Sequence, residues 1–173
     1  MGMGSQTLQV VLSSVRELNA NIKEFRLRAA DDSLLPGYSA GAHIKAAING
    51  GNNEIDWRAY SLVNLDPAVD TTSGQREYVI AVQYEAQGKG GSRFMHEQLK
   101  AGDSLTIQAP VNHFPLDTSE EAVVLIGGGI GVTPIISMAS ALKRAGRGFI
   151  FHYAVRSAEL SVYSEALQHT FGS

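Results

Sequence analysis

Polar and apolar residues alternate along most of the first hundred positions, and the alternation falls into short runs. Leu8, Val10 and Leu12 carry it within 6–15, and Ile22, Phe25 and Leu27 within 22–27. Four further short runs, 43–48, 57–63, 77–84 and 104–109, read as strands as well. Turn residues stand between them, notably Asn49-Gly50-Gly51-Asn52 and Gly102-Asp103. Period-two runs bounded by such turns predict strands of an antiparallel barrel or sandwich. Residues 92–100 depart from the pattern: Phe94, Met95 and Leu99 share one helical face, and Ser92 is placed to cap that helix.

The period changes after about Leu116. Run 123–126 is continuously apolar, which predicts a strand covered on both faces, and 149–155 reads as a second buried strand. Between and after them, Ile136, Ala139 and Leu142 predict a helix over 133–144, and Leu160, Tyr163 and Leu167 a helix over 157–169. The order β-α-β-α opens a parallel α/β layer. The acidic stretch 117–121 marks the boundary, giving a barrel over 6–116 and an α/β unit over 121–173. Two strands are few for a parallel sheet, so this unit reads as truncated. The polar segment 66–75 reads as a long mobile loop.

Of the 173 residues, 44% are hydrophobic and 18% charged, and the net charge is −3, which fits one or two globular domains. No basic run offers a nucleic-acid surface, and no apolar run has the roughly 20 residues of a membrane helix. The first residues, Met1-Gly2-Met3-Gly4-Ser5, lack the form of a secretory signal. Cysteine is absent, which excludes disulfides and thiolate-held zinc or iron–sulfur centres from these residues and agrees with a cytoplasmic location. The five histidines show no spacing of three or four, so no metal site is expected. His96, beside Met95, reads as a surface or packing residue.

Three segments carry chemistry. In Arg58-Ala59-Tyr60-Ser61-Leu62, a strand would turn Arg58, Tyr60 and Leu62 one way and Ala59 and Ser61 the other. An arginine forks onto phosphate, a tyrosine ring lies on another ring, and a serine hydroxyl donates and accepts. In Gly88-Lys89-Gly90-Gly91-Ser92, glycines let backbone approach a ligand just ahead of a helix. In Gly127-Gly128-Gly129-Ile130-Gly131-Val132-Thr133-Pro134, four glycines join a buried strand to a helix that Thr133 would cap, with Pro134 in its first turn. The glycines alternate and do not form the usual dinucleotide fingerprint. Arg156 stands at the carboxyl end of the second parallel strand, where α/β sheets bind ligands. Each segment alone is also explained by ordinary strand, turn and surface roles.

Taken in order, the three segments resemble the ferredoxin–NADP reductase superfamily, and within it the phthalate dioxygenase reductase and vanillate O-demethylase reductase branch. Pro36-Gly37, Gly41-Ala42-His43, Asn112 and Phe114 resemble that branch's barrel landmarks. The resemblance implies a six-stranded antiparallel Greek-key flavin barrel followed by a Rossmann-like nucleotide domain. It implies hydride transfer from NADH or NADPH to flavin, FMN by preference with FAD as the alternative, and onward passage of single electrons. Carried over, Arg58 would bind the flavin phosphate with Gly90, Gly91 and Ser92, while Ala59, Tyr60, Ala81 and Val82 would lie along the ring. Ser61 would stand near the hydride-accepting nitrogen and Thr133 where nicotinamide meets flavin; these two are the expected catalytic residues. Gly127, Gly128, Gly129, Gly131 and Pro134 would take the nucleotide, and Arg156 its adenosine half. The expected partner is a Rieske-type terminal oxygenase. The branch's [2Fe–2S] domain needs four cysteines, and none is present. A stand-alone FAD reductase and a non-catalytic flavin-binding module are the alternatives.

Overall fold

The computed structural model describes residues 6–49, 55–117, 119 and 122–172. Strands β1 (Thr7–Asn19), β2 (Ile22–Ala29), β3 (His43–Asn49), β4 (Ile55–Ser61), β5 (Tyr78–Gln83) and β6 (Ser104–Val111) form one sheet in the order β4-β3-β6-β1-β2-β5. Every pairing in it is antiparallel. The chain returns from β5 to place β6 beside β1, which is Greek-key winding. The two outer strands meet where the Val63 amide donates to the Val79 carbonyl at 2.8 Å, closing the sheet into a barrel.

The barrel interior is filled by the residues that set the period-two pattern. Val10 and Leu12 of β1, Phe25 and Leu27 of β2, Ile44 and Ile48 of β3, Ile80 of β5 and Ile107 of β6 share one buried cluster. Helix α1 (Gly91–Glu97) closes one end with Met95. Strand β1 runs four residues past the predicted 6–15 because register shifts let it follow β2 around the bend. At the first shift Leu12 pairs with Leu27 and Ser14 with Arg26, leaving Ser13 unpaired. The Ser13 hydroxyl instead donates to Glu77 Oε2 at 2.7 Å. Strand β4 begins two residues before the expected 57–63 and ends at Ser61. The Asn49-Gly50-Gly51-Asn52 turn lies mostly outside the described residues.

The α/β unit comprises β7 (Val123–Gly128), α2 (Val132–Arg144), β8 (Phe149–Ala154) and α3 (Ser164–Phe171), with β7 and β8 parallel. Its strands are covered on one face only, contrary to the expectation from their apolar runs. Leu125 packs beneath α2, but Val124, Ile126 and Ile150 on the opposite face are 54%, 68% and 57% exposed. A continuous apolar strand needs a layer on each side, and the described residues supply one. The helix predicted over 157–169 is also interrupted. A short 3-10 turn, Ala158–Leu160, precedes α3. Tyr163 leaves the helical path to bury itself against the barrel, and the Asn19 side chain donates to the Glu159 carbonyl at 3.0 Å.

The two units share a buried seam. Ile22, Val63 and Ala81 of the barrel pack with Val132, Ile136, Tyr163 and Leu167. The Tyr163 hydroxyl donates to Glu24 Oε2 at 3.3 Å. Glu24 is only 2% exposed, and Arg16 at 3.2 Å and Arg26 at 3.5 Å compensate its charge. Burial, reinforced by Glu24, pushes the Tyr163 phenol well above its ordinary range, so it stays a donor. Farther along, the 3%-exposed Ser137 donates its hydroxyl to the Leu62 carbonyl at 2.6 Å and accepts the Asn64 amide at 2.9 Å. Ser140 donates to the Asn64 carbonyl at 2.6 Å. The 66–75 segment expected to be mobile is tied as well. Gln75 donates to the Asp70 and Ser73 carbonyls, both at 2.8 Å, and Arg144 pairs with Asp70 at 3.0 Å.

Two measurements test these interactions. Ser137→Ala strips the Asn64 amide of its acceptor and should cost about 1–3 kcal/mol. Urea unfolding should show that loss at unchanged slope, and an unchanged midpoint would refute the anchoring role. Glu77, opposed by its own burial but held by hydrogen bonds from Ser13 and Arg26, titrates below its ordinary 4.5. Its contribution is therefore complete above pH 4.5 and lost as pH falls through the lower folded value. Melting curves from pH 6 down to about 3 should fall more steeply for the wild type than for Glu77→Gln.

Candidate functional site

The segment Arg58-Ala59-Tyr60-Ser61 forms most of β4 and turns its chemistry toward the junction of the two units. A cavity of about 510 Å³ opens there. Its lining includes Arg58, Ala59, Tyr60 and Ser61 from β4, and Ala81, Val82 and Gln83 from β5. Gly91 and Ser92 of α1, and Gly131, Thr133 and Pro134 at the start of α2, line it as well, as do Glu85 and Ile130. Eleven residues singled out in the three segments and on β5 thus meet around one space. Tyr60 packs partly into the barrel core, and burial pushes its phenol up to about 12, so the hydroxyl stays protonated.

Arg58 is the most telling member. One terminal nitrogen pairs with Asp56 on the same strand face. Its Nε is buried and has no hydrogen-bond partner among the described residues. A buried donor without an acceptor is costly, and a charged one more so, unless a ligand satisfies it. The adjoining backbone is cut close to the guanidinium. A Cβ added at Gly91 would stand 3.1 Å from Arg58 Cγ and 3.2 Å from Nε.

Ser92 does not cap α1 as expected. Gly90, at φ 90°, occupies the position before the helix, and Ser92 lies inside the first turn. Its hydroxyl oxygen accepts the Glu85 amide at 2.9 Å, so its own proton remains to donate. Gly90 supplies the left-handed turn that brings Gly91 and Ser92 to the cavity and does not itself line it. Thr133 likewise is not a cap. Helix α2 begins at Val132, and Thr133 Oγ1 donates to the Ile130 carbonyl at 3.0 Å. Toward the cavity Thr133 is therefore an acceptor.

The glycine-rich turn divides its members between two tasks. Gly127 lines neither cavity described here; a Cβ there would meet Val132 Cα and Cγ2, each at 2.9 Å. Its role is to let α2 close onto β7. Gly128 and Gly129 have open space where a side chain would be, and they line a second cavity of about 610 Å³ with Arg156, Asn21 and Leu160. Ile130 and Gln83 line both cavities, so the two spaces share a wall. The sequence reading missed Gln83, Ile130 and Asn21. Alternation on β5 does distinguish Gln83 from Val82, but nothing local marks it as facing α2.

Among the described residues no group of three metal-binding side chains gathers, although His43 and His113 come ring to ring at 5.4 Å. Burial first, then His113 and Lys45, lowers the His43 pKa. Among the described residues no helix is long and apolar enough to cross a membrane.

A six-stranded Greek-key barrel joined to a two-stranded α/β unit, with a cavity at the joint, is the architecture of the ferredoxin-reductase class. The solved structure of phthalate dioxygenase reductase superposes with a TM-score of 0.83 at 32% identity, covering 94% of this chain and 48% of that one. Residues 9–115 match the family described as oxidoreductase FAD-binding domain, and the chain belongs to that family. Within it, the chain lies with the phthalate dioxygenase reductase and vanillate O-demethylase reductase branch. The heme-dependent oxidative N-demethylase beta subunit of Ectopseudomonas mendocina (strain ymp) is 38% identical over 97% of this chain and 51% of its own length. The vanillate O-demethylase oxidoreductase of Acinetobacter baylyi is 37% identical over 94% and 48%. The chain thus spans about half the length of these relatives.

The packing account of Gly127 makes a direct prediction. Gly127→Ala should destabilise by about 1–3 kcal/mol, the scale of overpacking a tight contact. Gly128→Ala, facing open space, should cost well under half of that. Thermal melts of the two variants give the comparison, and equal losses would refute it.

Proposed function

We propose that this chain is the flavin- and nicotinamide-binding portion of a reductase component serving an oxygenase or demethylase. The observation that carries this reading is the pair of cavities with Ile130 and Gln83 as common wall. One is lined by a cation, a half-buried phenol and hydroxyl groups, the other by open glycine backbone and Arg156. Two ligands held on the two sides of that wall would be neighbours. The resemblance to phthalate dioxygenase reductase, a protein of modular structure for electron transfer from pyridine nucleotides to [2Fe–2S], supports the same assignment.

The residues fit a flavin mononucleotide. The unpartnered Nε of Arg58 lacks an anionic acceptor, which a phosphate supplies in the bidentate geometry arginine favours. Ser92 has a proton to donate, and Gly91 leaves room for a ligand oxygen to come close. Tyr60 offers a ring face together with a hydroxyl that does not ionise near neutral pH. Ala59, Ala81 and Val82 give small apolar wall, and Ser61 adds a hydroxyl that would donate to the bound ring. FMN is favoured over FAD because the Gly88–Ser92 segment resembles the FMN-using branch.

When bound, flavin supplies acceptance of a hydride and release of electrons one at a time. The protein supplies orientation. Gly128, Gly129 and Arg156 would hold the nucleotide of NADH or NADPH, with Gly131 and Pro134 at the start of α2 leading it toward Ser61. Thr133, its proton committed to Ile130, would accept a hydrogen bond from a carboxamide. Electrons would leave toward an iron–sulfur acceptor, which these residues cannot hold because they include no cysteine. A Rieske-type oxygenase is the proposed final partner.

Fluorescence titration of the purified protein should show FMN binding, and Arg58→Ala should weaken it by about 1.5–3 kcal/mol, roughly 10- to 150-fold. Protein that takes up neither FMN nor FAD overturns the reading. Tighter binding of FAD assigns the stand-alone reductase type. Flavin uptake with no NADH or NADPH oxidation in the presence of a dye acceptor leaves a binding module.

A further inference from the structure

His96 is not a surface residue without duties. It lies in the last turn of α1, and its Nε2 stands 2.7 Å from the Val82 carbonyl oxygen. A carbonyl only accepts, so the ring carries its proton on Nε2 and donates it to Val82. Lys23 faces Val82 across the β2–β5 pairing and donates Nζ to the carbonyl of His96 itself at 3.0 Å. Tyr84, two residues along, lays its ring edgewise against His96 at 5.5 Å and donates its hydroxyl to Glu97 at 3.1 Å. The carboxyl-terminal end of α1 is thus fastened by polar links to β2 and to the end of β5.

Both things so fastened are walls of the first cavity. Val82 lines it from β5, and Gly91 and Ser92 line it from the opposite end of α1. Helix α1 is seven residues long, and Gly91 and Met95 are its buried members. At about 1.5 Å per residue its length is roughly 10 Å, so a small tilt about the His96 end carries Gly91 and Ser92 sideways against Arg58. Met95 and Phe94 pack against the barrel core and Ser92 accepts the Glu85 amide, but apolar contacts have no direction and so do not by themselves set the helix against β5. A hydrogen bond to a strand carbonyl does.

We propose that His96 is a positioning residue for the phosphate end of the flavin cavity. Its donation to the Val82 carbonyl sets the spacing between the wall that faces the ring and the Gly91–Ser92 segment that faces the phosphate. The proposal rests on the flavin reading of that cavity.

Binding of FMN and of riboflavin, which lacks the phosphate, separates this role from general support of the fold. In equilibrium titrations, His96→Leu should weaken FMN about fivefold or more, the scale of one lost hydrogen bond, and change riboflavin less than about twofold. His96→Gln, whose side-chain amide reaches the same carbonyl, should return FMN affinity to within about twofold of wild type. Lys23→Met should show the same FMN-selective loss at smaller size, and it serves where His96→Leu does not fold. Unchanged FMN affinity in His96→Leu, equal losses for both ligands, or no rescue by His96→Gln would each overturn the proposal. Wild-type protein that binds neither ligand instead defeats the flavin reading, and the positioning role falls with it.

Discussion

The buried hydroxyl of Ser137 holds the molecule in its working arrangement. It meets the Leu62 carbonyl and the Asn64 amide, just beyond the end of β4. A strand that ends at the rim of a barrel has backbone groups that water would otherwise satisfy. Here a helix from the other unit satisfies them, with Ser140 extending the contact to the Asn64 carbonyl. With α2 gripped at this point, its first turn shares the lining of the cavity at the joint with Ser61 and Tyr60. The apolar seam of Ile22, Val63, Ala81, Val132 and Ile136 supplies area without direction, and the serines supply direction.

Electrostatics repeat the same logic at the far end of the seam. Glu24 could not be buried alone, since an unpaired carboxylate in an apolar setting costs several kcal/mol. Arg16 and Arg26 bring its compensation from the barrel, and Tyr163 brings a hydrogen bond from the α/β unit. Polar links at both ends thus fix the rotation of one unit on the other. Arg58 is the exception, a half-buried cation whose buried Nε is left without an acceptor among the described residues. In a structure whose other buried charge is so fully met, that surplus is chemical information about the cavity.

The barrel was legible in the sequence because its inward residues alternate and its strands are paired on one pattern. Six strands, the capping helix and the change of period after Leu116 all follow from that. The cavity was legible to the extent that its members lie in three compact segments. What sequence did not show depends on contacts between distant elements. Ser137 and Ser140 look like ordinary small residues of a helix until the rim of β4 is placed against them. Gln83 and Ile130 become a shared wall only when β5 meets the glycine turn. Ser92 and Thr133 have the residue type of helix caps, but each had a nearer partner, the Glu85 amide and the Ile130 carbonyl. The covering of β7 and β8 was misjudged because an apolar run reports what a strand could bury, not what lies over it.

The closeness of Gly91 to Arg58 has an evolutionary consequence. A single methyl at position 91 would press on both the stem and the Nε of the arginine, 3.1 and 3.2 Å away. On the proposed reading of the cavity, selection therefore has a lever on phosphate affinity that leaves every charge in place. Drift at this one backbone position would retune the pocket in steps finer than any exchange of the arginine itself, while the barrel beneath it stays unaltered.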